Sequence, residues 1–141
     1  MVKRMDAPEE GAGVFWCRGS LRIMDAPQLH EEATAVLGSP TYSHREGDPD
    51  PDRPGRRWKN SIWFRESDIA ETSELHEHLH WVVEFARPHE AFLRRLISRG
   101  ARIDVYLSYS CSNDHRGFEF DACDLDIFPQ LGIRLGVSIM T

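Results

Sequence analysis

Apolar and polar residues alternate with period two in five stretches of this chain and recur near period 3.6 in three others, so strands and helices can be placed before any chemistry is considered. In 15–23, Phe15, Cys17, Gly19, Leu21 and Ile23 fall on one side of an extended chain, as a half-buried strand requires. Asp25 then offers an N-cap, Pro27 stands close to the first helical position, and Leu29, Ala33, Val36 and Leu37 form a helical stripe that stops at Gly38. Residues 58–64 alternate again, with tryptophan on both faces. From about 72 to 86, Leu75, Leu79, Val82 and Ala86 take helical spacing up to Arg87-Pro88. A second helix over 88–99 turns Phe92, Leu93, Leu96 and Ile97 inward, with Gly100 as its C-cap.

Ile103, Val105, Leu107 and Tyr109 form one face of a further strand. The turn after it, rich in Asn, Asp and Gly, predicts a return through 117–120 as an antiparallel hairpin. A short helix across 121–132, despite Pro129, leads to a last strand with Ile133, Leu135, Val137 and Ile139 on one face. Segment 39–56 holds four prolines among Gly and Asp turn signals and reads as a long surface loop with no regular element. Together these elements predict an α+β two-layer sandwich, a mostly antiparallel sheet of about five strands with helices packed on one face. A strand followed by a short helix ending in Leu-Gly occurs twice, at Leu37-Gly38 and Leu131-Gly132. A duplicated β-α-β unit of this kind would give a ferredoxin-like sheet.

A chain of 141 residues fits one domain. The division expected is a flexible N-terminus over 1–13 and a single domain over 14–141. The net charge of -6 disfavours nucleic acid as a partner, since only Arg53, Arg56 and Arg57 approach a basic cluster. No apolar run approaches the roughly 20 residues that span a bilayer, so no membrane partner is expected. Three cysteines, Cys17, Cys111 and Cys123, form no C-x-x-C pair, which fits reduced thiols and a cytoplasmic location.

The one conspicuous chemical pattern is His76-Glu77-x-x-His80. On a helix it places two imidazoles one turn apart, where they could hold zinc while Glu77 activates a bound water. A zinc-dependent hydrolase is therefore the alternative enzymatic reading, with Glu84, His89, Glu90 and Asp104 open as further ligands. The main expectation is no cofactor, with His76, Glu77, His78 and His80 on a solvated edge while Leu75, Leu79 and Val82 carry the fold. A second alternative is a small-ligand pocket at Trp58 and Trp63. The function expected first is non-catalytic recognition of a basic protein partner, as an immunity-type protein would neutralise a basic toxin. Its contacts would be Asp48, Asp50 and Asp52, together with carboxylates in 114–126.

The order of Gly19-Ser20-Leu21, Leu37-Gly38-Ser39-Pro40, Gly47-Asp48, the 58–64 strand, the helical pair and the closing Leu131-Gly132 to Val137 resembles the bacterial family of unknown function DUF4279. The resemblance runs from about residue 14 to 139. It implies one α+β domain and brings no catalytic residues with it.

Overall fold

The computed structural model describes residues 15–112 and 117–140. The expected flexible segment 1–13 and the turn residues 113–116 lie outside the described residues. In chain order the elements are β1 (Phe15–Met24), α1 (His30–Leu37), β2 (Tyr42–His44), β3 (Ile62–Glu66), α2 (Leu75–Ala86), α3 (Glu90–Ser98), β4 (Arg102–Cys111), α4 (Ala122–Leu125), α5 (Ile127–Leu131) and β5 (Arg134–Met140). Short 3-10 turns, Pro27–Leu29 and Arg87–His89, lead into α1 and α3.

The strands form one sheet in the order β2-β3-β1-β4-β5, antiparallel throughout except for the parallel β4–β5 pair. α1 carries the chain from β1 past β3 to β2, and α2 with α3 carries it from β3 past β1 to β4. Those four strands thus have the βαββαβ order of a ferredoxin-like sheet, which β5 extends at one edge. The two Leu-Gly pairs are not its two halves. Gly38 and Gly132 end α1 and α5 with positive φ of 91° and 68°, so the echo reports only that each helix stops at a glycine free to take positive φ.

Alternation fixes which face is covered. Cys17, Leu21 and Ile23 of β1, Val105 and Leu107 of β4 and Trp63 of β3 are buried together under Leu79, Val82 and Val83 of α2 and Leu93 and Leu96 of α3. Each fully buried aliphatic side chain there stabilises the fold by about 1.5–3 kcal/mol. The opposite face is polar and aromatic. On it Arg22 forks onto Asp104 through Nε and Nη2 at 2.8 and 2.6 Å and lies over the Tyr106 ring, 4.2 Å from its centroid.

Several local expectations are corrected. Residues 117–120 form no strand, because both edges of β4 are already paired, with β1 and β5. Phe118 instead sets its ring against Tyr109, 5.6 Å between centroids. The proline-rich loop does hold regular structure, since β2 pairs Tyr42 with Phe64 and His44 with Ile62, and Pro49 bridges to Arg57. That pairing gives partners to an edge of β3 that would otherwise stand open. The second strand begins at Ile62, not Trp58.

Asp25 does not cap α1. It takes φ 63°, and its carboxylate accepts from Arg102 Nε at 2.8 Å. Val36, expected inward, is exposed. So are Val137 and Ile139, because β5 is an edge strand whose outer half no described helix covers. Pro129 is tolerated because it is the third residue of α5, where its missing N–H has no intrahelical acceptor. No helix among the described residues is long and apolar enough to cross a membrane.

Candidate functional site

The outward face of α2 lines a cleft of about 760 Å³, with Ile69, Ser73, His76, Glu77, His80, Trp81, Glu84, Phe85 and Asp121 around it. The helix starts where Glu77, its third residue, accepts from the backbone N–H of Glu74 at 2.7 Å, a capping-box arrangement. The glutamate of the His76-Glu77-x-x-His80 pattern is thus engaged with the helix end. Trp81 and Phe85, one turn apart, stack at 5.3 Å and form an aromatic wall. Arg65 lies over both rings, at 5.5 and 5.4 Å, with its charge paired to Asp68 at 3.0 Å.

His80 is tied to a second element. Its Nδ1 stands 3.0 and 3.2 Å from the two carboxylate oxygens of Asp124 in α4, while its Nε2 is 3.9 Å from Glu84 Oε1. Asp124 is buried, whereas the imidazole and Glu84 are open to solvent. Arg87 donates to the carbonyl of Cys123, which pins α4 beside the end of α2. Among the described residues, His80, Glu84 and Asp124 are the group whose ligand atoms come close enough to share an ion, all within 4.8 Å of one another. Glu84, one turn after His80, is a ligand candidate on sequence spacing alone. Asp124 is not, since 44 residues separate it from His80 and no local pattern joins them. His76 lines the same cleft but does not belong to that group.

His78 departs from the expected solvated edge: it is 1% exposed, on the inner side of α2. It sits three residues after Leu75 and four before Val82, the spacing that puts it on the apolar stripe. Its Nδ1 is 2.6 Å from Ser67 Oγ, at a cavity of about 400 Å³ that Arg18, Glu66 and Glu71 also line. Arg18 Nε donates to Glu71 there at 3.1 Å. Burial pushes the His78 pKa down, against smaller raising effects of the Ala70 carbonyl, Glu77 and Glu71. Among the described residues no carboxylate pairs with its Nε2, so Ser67 and His78 stand without the third member of a Ser-His-Asp set.

The other residues singled out from sequence lie elsewhere. Asp48 Oδ2 accepts from the Arg45 backbone at 2.8 Å and Asp50 Oδ1 from the Asp52 backbone at 3.0 Å. Both carboxylates therefore shape their own exposed loop, which also carries Arg45, Arg53, Arg56 and Arg57. Trp63 is a core residue whose Nε1 donates to Thr34 Oγ1 at 3.0 Å. Trp58 stacks on His44, 4.0 Å between ring centroids.

No curated protein and no solved structure matches the chain. A family model, described as a domain of unknown function, matches residues 17–141. With nearly its whole length under that match, the chain belongs to the DUF4279 family.

Proposed function

We propose that this domain is a non-catalytic recognition module whose α2 cleft receives a basic segment of a protein partner. One observation carries the reading: the cleft places Glu77, Glu84 and Asp121 around Trp81 and Phe85, and the one cation against those rings, Arg65, already has its charge paired with Asp68. A Lys or Arg side chain entering there would meet carboxylates at the rim and aromatic carbon along the wall, and complementary charge would speed encounter. A toxin-neutralising role of the immunity type is one form such recognition could take. Asp48, Asp50 and Asp52 offer a second carboxylate surface, but the interleaved arginines weaken its field. A hydrolase reading has less support, because Glu77 already holds the helix end.

The test is affinity capture on immobilised protein in EDTA, comparing low with moderate salt. Capture of a basic protein that weakens with salt and with Glu84→Gln or Asp121→Asn supports the cleft. Dependence on Asp48→Asn, Asp50→Asn and Asp52→Asn instead moves the contact to the loop. Binding that ignores both salt and every carboxylate removes the reading.

A further inference from the structure

The pairing of His80 with Asp124 and Glu84 has a geometry that basic-partner recognition does not need. We propose that the α2 cleft contains a divalent transition-metal site of the zinc class, with His80 Nε2 and Glu84 as ligands and Asp124 as the positioning carboxylate behind the ring. The site is displaced one helical turn from the pair that the His76-Glu77-x-x-His80 pattern suggests.

Three features support it. Metal-binding imidazoles commonly donate their other ring N–H to a carboxylate, which fixes tautomer and ring plane and raises ligand basicity. Asp124 occupies that position, with both oxygens at hydrogen-bond distance from Nδ1 and its carboxylate withdrawn from solvent. This leaves Nε2 as the free ligand atom, facing the cleft. Next, Nε2 and Glu84 Oε1 are 3.9 Å apart, close to the roughly 3.4 Å edge of a tetrahedral shell with arms of about 2.1 Å. A small side-chain rotation at Glu84, which is half exposed, closes the difference. The remaining positions open onto a cleft of about 760 Å³, from which water would complete the shell. Finally, the chemistry is selective: one imidazole and one carboxylate suit zinc, cobalt or nickel better than calcium, which takes six to eight oxygens.

The test is metal titration of the untagged, EDTA-stripped protein alone, so its outcome is separate from that of the capture experiment. Calorimetry with zinc and the visible spectrum with cobalt should show one saturable site per chain. Asp124→Asn should weaken it by about 10–100-fold, Glu84→Gln should weaken it comparably, and His80→Ala should abolish it. His76→Ala and the remote Glu32→Gln should retain it, with circular dichroism confirming the fold of each variant. Absence of saturable binding overturns the proposal. So does undiminished binding by Glu84→Gln and Asp124→Asn, or loss on His76→Ala equal to that on His80→Ala.

Discussion

Gly19 of β1 and His78 of α2 leave no room for a methyl between them: a Cβ on Gly19 would lie 3.1 Å from His78 Cβ and 3.3 Å from its carbonyl oxygen, with Leu107 Cδ2 also at 3.1 Å. A glycine within a strand ordinarily costs about 0.5–1 kcal/mol relative to alanine, so an unconstrained Gly19→Ala would stabilise. Here the added methyl meets atoms fixed to the helix backbone, which cannot rotate away. Gly19→Ala should therefore destabilise, by about 1–3 kcal/mol, read as a lowered urea midpoint. A raised midpoint would mean that α2 does not sit so close.

Burial gives His78 a pH signature. Its folded pKa lies below the ordinary value of 6.5, chiefly through desolvation, and His30 shifts the same way for the same first cause. Between the folded and unfolded values the unfolded chain binds more protons, so folding stability rises with pH in that window. The contribution is complete above about 6.5 and is lost as pH falls toward the folded values. Urea midpoints should drop between pH 7.5 and 5.5, and His78→Gln should flatten that slope. An unchanged slope in the variant would show that His78 is not the group responsible.

Local periodicity made much of this fold legible. The alternation of Cys17, Leu21 and Ile23, and the helical spacing of Leu75, Leu79 and Val82, are imposed by one buried face each, and both elements stand where those patterns put them. Strand partnership is not a local property. Nothing near Tyr42 announces that it will pair with Phe64, and nothing near Ser108 favours parallel Ser138 over a return through residues 117–120. The site divided along the same line. His80 and Glu84 share one helix face, whereas Asp124 reaches His80 only from α4, beyond the whole of β4 in the chain.

The three cysteines should differ in reactivity. Cys17 and Cys111 are buried at 0% and 3% exposure, while Cys123 is exposed beside α2. Thiol reaction requires contact with reagent, so a disulfide reagent should modify one thiol promptly in the native protein and three after denaturation. Cys123→Ser should remove the prompt phase. Two or more fast thiols in the native protein would contradict the burial of β1 and β4.

Glu77 separates the structural use of the His76-Glu77-x-x-His80 pattern from a catalytic one. Its carboxylate accepts the Glu74 backbone N–H at 2.7 Å, a role glutamine also fills in a capping box. Glu77→Gln should therefore leave thermal stability nearly unchanged, while Glu77→Ala should cost about 0.5–2 kcal/mol. Neither substitution should alter zinc or cobalt affinity, because the metal pair proposed is His80 with Glu84. A water-activating base would behave differently: glutamine would be as damaging as alanine to any hydrolysis, and stability would be indifferent to both. Thermal melts of the two variants beside a zinc titration distinguish these cases. Equal stability of Glu77→Ala and the wild-type chain would remove the capping role and reopen Glu77 as a free carboxylate in the cleft.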